Sequence, residues 1–343
     1  MRLGVSKMPS LPNIRRARRA RPEPASSPLR SGVAEPSIQR LEANDLVWLN
    51  IESPSEVEAA WLGEHYDFHE LDLEDVRSRR RQRAKIDEYP DYIFIVLHFP
   101  RFDKRVGRLQ AAELNVFVAD GLVITLPNEP LKPLSGLWSR CESRPDVRDL
   151  AMGKGSGYLL YEIVDTMFDY CFPILDKIGF KLDSIEDDVF EGERAQEVVR
   201  DISNVKQEII NYRKIIKPQR PTLRLLERAS QRYAPEDLEL YFDDIVDKNE
   251  RIWDSLENYK EVAEAIEATN EAVISHRLNE VIKVLTMLSA VMLPLTLVTG
   301  FYGMNIDSLP FAHHGILSFV MVVVLMCAIS AGMLWYFRRK RWL

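Results

Sequence analysis

The chain has 343 residues, 46% of them hydrophobic and 28% charged, with a formal net charge of -7. That length exceeds one ordinary domain, and the acidic balance argues against nucleic acid as the main partner. Three cysteines, Cys141, Cys171 and Cys327, lack any CxxC spacing and fit a reducing compartment. No nucleophile elbow, phosphate loop or zinc-ligand pattern marks an enzyme, and no permanently bound cofactor is expected.

Residues 1–43 carry Arg15, Arg16, Arg18, Arg19 and Arg21 among prolines and read as a disordered tail. Residues 44–157 read as a cytosolic α/β domain. There "DLVWLNIESPSE" predicts a strand over Leu46 to Ile51, a Ser-Pro turn, and a helix around Glu56 to Glu64. "YIFIVLHF", "ELNVFVAD" and "GLVITL" are rich in aromatic and β-branched residues; they predict neighbouring strands of one sheet, with Asp120-Gly121 as a hairpin turn.

The pattern turns helical over residues 158–283, where Gly and Pro become sparse. Phe242, Ile245, Asn249, Ile252, Leu256, Tyr259, Ala263, Ile266, Asn270 and Val273 follow a 3-4 spacing. Two packings satisfy it: a coiled-coil seam against other copies, with Asn249 and Asn270 setting register, or a helix laid on its own domain. No Gly or Pro lies between Pro235 and Pro294, so a single long stalk helix is expected to run into the membrane.

Residues 284–306 and 315–337 contain no Asp, Glu, Lys or Arg, and each exceeds the ~20 residues needed to cross a hydrocarbon core. The outer loop, 307–314, has no Lys or Arg, whereas Arg338-Arg339-Lys340-Arg341 begins the short basic tail, 338–343. The positive-inside rule then places both termini in the cytoplasm of a multi-pass protein of the plasma (inner) membrane, in contact with lipid.

The first span is not uniformly greasy. Asn279, Ile282, Thr286, Ser289, Leu293 and Thr296 recur at three- and four-residue steps along one face. Such a face serves either close helix packing or the lining of a water-filled path. Two helices enclose no pore, so conduction needs an oligomer that turns this face to its axis.

Tyr302-Gly303-Met304-Asn305 at the outer end of the first span, and the closing Arg338-Arg339-Lys340-Arg341-Trp342-Leu343, resemble the CorA family of divalent metal-ion (magnesium/cobalt) transporters. The resemblance extends through "NEVIKVLTMLSAVMLPLTLVTGFYGMN" and "LDLEDVRSRRRQRAKIDEYPDYIFIVLHF", covering about residues 44–343. It implies a funnel-shaped homopentamer with an α/β cytosolic domain, a stalk helix and two C-terminal transmembrane helices. It further implies passive movement of Mg2+, and of Co2+ and Ni2+, into the cytoplasm. Gly303, Met304 and Asn305 would form the selective outer mouth, Asn279 a second amide ring, and Ser289 and Thr296 polar levels between. Ile282, Leu285 and Leu293 would be hydrophobic constrictions. Asp244 and Asp247 would hold a regulatory Mg2+, or another divalent cation, between subunits. Neutral amides suit Mg2+, which dehydrates reluctantly and is best held through its water shell.

The loop "IDSLPFAHHG" departs from the magnesium-type pattern, lacking a Glu after its proline. It resembles in part the zinc-transporting ZntB branch, and His313 and His314 are borderline ligands that attract Zn2+. A Zn2+ transporter is therefore the alternative, and a non-conducting, membrane-tethered coiled-coil scaffold is a further one.

Overall fold

A computed structural model describes residues 35–78, 80–191, 195–233, 238–304, 316–340 and 342. Its N-terminal part is built on a six-stranded sheet: β1 (Gln39–Ala43), β2 (Leu46–Asn50), β3 (Lys85–Glu88), β4 (Tyr92–Asp103), β5 (Arg108–Ala119) and β6 (Leu122–Pro127). The spatial order is β1-β2-β6-β5-β4-β3, antiparallel except for the parallel pair β2 and β6. The Asp120-Gly121 turn joins β5 to β6 as expected, with Gly121 at φ 66°.

Two elements were not legible. β1 lies inside the stretch expected to be tail, which is corrected for Gln39–Ala43. Its signal is the Asn44-Asp45 pair, whose positive φ values of 49° and 60° make the tight hairpin turn into β2. β3 is only four residues long and too polar to announce itself.

Both faces of the sheet are covered, which explains the unbroken apolar run of β4. Phe94 and Val96 face α1 (Glu56–His65) and α2 (Glu70–Arg77), while Ile93, Ile95, Leu97 and Phe99 face the large helical layer. Helix α1 begins with a capping box in which Ser55 and Glu58 satisfy each other's backbone N–H groups. Helical structure starts earlier than residue 158, with α3 (Lys132–Ser143) and α4 (Pro145–Met152), and continues through α5 (Ser156–Asp169).

Helices α6 (Cys171–Glu191), α7 (Ala195–Ile216) and α8 (Arg220–Ser230) pack on α9 (Glu239–Tyr302). The 3-4 stripe of α9 is the face they cover: Phe242, Ile245, Asn249, Ile252, Leu256, Ala263, Ile266 and Asn270 are all buried within one chain. The own-domain packing is thus the one observed. Asn249 meets no like partner there, since neither atom of its amide has a hydrogen-bond partner among the described residues. At ~1.5 Å per residue the 64 residues of α9 extend about 96 Å. Helix α10 (Ile316–Arg339) returns along its outer end.

Candidate ion pathway

The outer part of α9 and most of α10 are long and apolar enough to cross a membrane, with mean hydropathy of 2.1 and 2.2, and neither apolar window is buried inside the chain. The two helices touch, and each shows one half-buried stripe. On α9 it comprises Met287, Ala290, Val291, Pro294, Leu295, Val298 and Tyr302. On α10 it comprises Val322, Met326, Ile329, Ser330 and Met333. Pro294 sits on the covered side, where its missing N–H leaves the Ala290 carbonyl without its helical partner.

At about 100° per residue, the polar stripe of α9 lies on the opposite side of the helix from α10. Asn279, Ile282, Leu285, Thr286, Ser289, Leu293 and Thr296 are all exposed in the single chain. Thr286 Oγ1 donates to the Ile282 carbonyl at 2.7 Å and Thr296 Oγ1 to the Met292 carbonyl at 2.9 Å. With its proton committed to the helix, each hydroxyl turns oxygen lone pairs outward, an arrangement that accepts hydrogen bonds from a hydrated cation. The helix-packing explanation of the stripe fails for α10, because α10 lies on the other face.

Gly303 ends α9, its N–H donating to the Thr299 carbonyl at 2.8 Å. Its φ of -84° is ordinary right-handed backbone, so no left-handed exit explains the glycine. A Cβ there would stand 3.0 Å from the Thr299 carbonyl oxygen of the same last turn, a tight contact. Met304 follows, exposed; Asn305, the loop 307–314, His313 and His314 lie outside the described residues. Past the other end of α10, Trp342 stacks on Phe337, centroids 5.9 Å apart, and Arg339 lies over Trp335.

The structure separates the two expected regulatory residues. Asp247 is exposed on the stalk. Asp244 is exposed as well, but it borders a cluster around Lys248, whose Nζ lies 2.5 Å from Asp165 Oδ1, 2.7 Å from Asp169 Oδ1 and 3.4 Å from Asp244 Oδ2. Burial alone would lower the Lys248 pKa, but hydrogen bonds to Asp165 and Asp169 outweigh it and raise it well above the usual lysine range. Among the described residues no group of three or more His, Cys, Asp or Glu is arranged to hold a metal ion. Within one chain an ammonium already sits among the carboxylates around Asp244, whereas the regulatory cation expected at Asp244 and Asp247 lies between subunits and involves a second copy. Lys248 was missed in the sequence; its signal was the i, i+4 spacing from Asp244.

Residues 43–339 match the family described as "CorA-like Mg2+ transporter protein". The chain belongs to this family. It is 28% identical over 297 residues to the cobalt/magnesium transport protein CorA of Thermotoga maritima, covering 86% of this chain and 83% of that one. It is 22% identical over 306 residues to the zinc transport protein ZntB of Pectobacterium carotovorum, covering 86% and 88%. The solved CorA magnesium transporter of Methanocaldococcus jannaschii superposes with a TM-score of 0.77 at 22% identity, over 88% of this chain and 93% of that chain. The CorA-like fold is thus the fold of this chain: an N-terminal α/β domain, a long continuous helix and two terminal apolar segments.

Proposed function

We propose that this CorA-like chain moves divalent cations, Mg2+ first and also Co2+ and Ni2+, into the cytoplasm through the axis of a homopentamer in the plasma membrane, with both termini cytoplasmic. The carrying observation is the exposed polar stripe of α9, turned away from α10 on the helix that ends at Gly303. Only a ring of copies gives that face water or ions to meet. Around the axis, the Asn305 amides would receive a hydrated ion at the outer mouth and Asn279 would release it inside. Thr296 and Ser289 would provide polar levels, separated by narrow apolar rings of Leu293, Leu285 and Ile282. The membrane potential drives the step, at roughly 4.6 kcal/mol for a divalent ion across 100 mV, twice the single-charge value. No gating step is routed through a cation at Asp244 and Asp247, since the Lys248 ammonium already lies 3.4 Å from Asp244 Oδ2.

A Zn2+ substrate is the second reading, favoured by the ZntB relatives and by His313 and His314 in the outer loop. Purified chain in liposomes, assayed for Mg2+, Co2+, Ni2+ and Zn2+ uptake in competition, decides. Mg2+ uptake blocked by Co2+ supports the first reading, and uptake of Zn2+ without Mg2+ supports the second. Absence of all four fluxes leaves the non-conducting scaffold.

A further inference from the structure

Asp165 and Asp169 stand four residues apart on α5, where two like charges on one helical face repel each other. Asp244 reaches the same point from α9, so three carboxylates from two helices converge. What lies among them is a side-chain ammonium, and the Lys248 side chain is only 15% exposed. It donates hydrogen bonds to Asp165 and Asp169 and pairs with Asp244 at 3.4 Å, joining α5 to the stalk as a multivalent cation would.

We infer that Lys248 is a tethered substitute for a cytosolic divalent cation: its ammonium permanently fills the acidic site formed by Asp165, Asp169 and Asp244, so that this part of the stalk is locked without sensing free metal. The charge count supports this. Three carboxylates and one ammonium leave two net negative charges, but the ammonium occupies the convergence point and excludes an ion that requires oxygen contacts at roughly 2.0–2.6 Å. Removing the ammonium leaves three negative charges close together, two of them on exposed side chains free to draw in around an ion, and their oxygens are of the hard kind that Mg2+ and Mn2+ prefer. The inference goes beyond the transport reading and stands independently of it, because it concerns an ion that is not transported.

The test counts bound metal on the full chain in detergent, with Mn2+ as the probe and electron paramagnetic resonance as the readout. Lys248→Met keeps the length of the side chain and removes its charge; it is expected to bind one more Mn2+ per subunit than the unaltered chain. Lys248→Arg should gain none, and adding Asp165→Asn to Lys248→Met should abolish the gain. No extra ion in Lys248→Met overturns the inference. Should Lys248→Met fail to fold, the unaltered chain and Asp244→Asn decide between themselves. An equal Mn2+ count supports the tethered cation, whereas a loss of one ion per subunit in Asp244→Asn shows that Asp244 already ligates metal and overturns it. Cation flux is read separately, so a chain that transports nothing leaves the ion count interpretable.

Discussion

The side-chain amide of Gln219 closes on the backbone of His98 from both sides: its oxygen accepts the His98 N–H at 2.9 Å and its nitrogen donates to the His98 carbonyl at 2.7 Å. β3 pairs with β4 only as far as Val96, so the outer edge of β4 is open beyond it. Gln219, fully buried in the 3-10 turn after α7, acts there as one residue of an absent strand and fastens the helical layer to the sheet. Gln219→Leu removes both bonds and leaves a buried N–H and C=O unsatisfied. A loss of about 2–4 kcal/mol is expected, read as a fall of several degrees in the thermal unfolding midpoint of the full chain in detergent. An unchanged midpoint would show that water replaces the amide.

Gly179 of α6 faces the hydroxyl of Tyr259 on the stalk so closely that an added Cβ would stand 2.7 Å from Oη and 3.2 Å from Cζ. Gly179→Ala should therefore push α6 off α9, costing about 1–3 kcal/mol. Tyr259→Phe in the same chain removes the nearest atom and should recover part of that loss. A double-mutant cycle on unfolding midpoints measures the coupling, and strictly additive effects would refute the contact.

Glu113 is buried in β5, where burial alone would raise its pKa. The nearby His98 ring, 3.6 Å away, and hydrogen bonds from the Gln82 N–H and Asn115 outweigh that and hold it below the ordinary value of 4.5. A folded pKa below the unfolded one gives stability that is present above pH 4.5 and lost as pH falls through the folded value. Acid titration of unfolding should thus show a decline starting near pH 4.5. Glu113→Gln is expected to be less stable at pH 7 and to show a shallower acid decline; an identical acid profile would exclude Glu113 as its source.

The two faces of outer α9 should behave differently. Ser289→Leu on the exposed stripe is expected to cut ion uptake at least tenfold while leaving assembly intact. Val291→Ala on the α10 side should lower the unfolding midpoint and spare uptake per assembled oligomer. Flux in liposomes together with size-exclusion chromatography separates these outcomes, and equal uptake in Ser289→Leu and the unaltered chain would remove the stripe from the pathway. Asn305→Ala should abolish selectivity for Mg2+ over monovalent ions, whereas a scaffold would be indifferent.

The membrane spans, the unbroken stalk and the strands β2, β4, β5 and β6 were legible because each depends on neighbours in sequence. A lipid span is a length of uncharged residues, a stalk is a run without Gly or Pro, and a doubly covered strand is a short apolar run. The polar stripe was legible for the same reason. Which way the stripe points was not, since that depends on where α10 comes to rest.

Periodicity showed that α9 has a buried face but not what buries it. The tertiary fold assigned that face to α6, α7 and α8 of the same chain, because those helices needed an apolar surface and lay close enough to take it. The acidic pair on the stalk shows the same division. By itself the sequence determined that Asp244 and Asp247 lie one turn apart on a helix. Only the folding of α5 against α9 decided that Asp165 and Asp169 would meet Lys248 beside Asp244, because a charge finds its partners by distance in space, and these lie far apart along the chain.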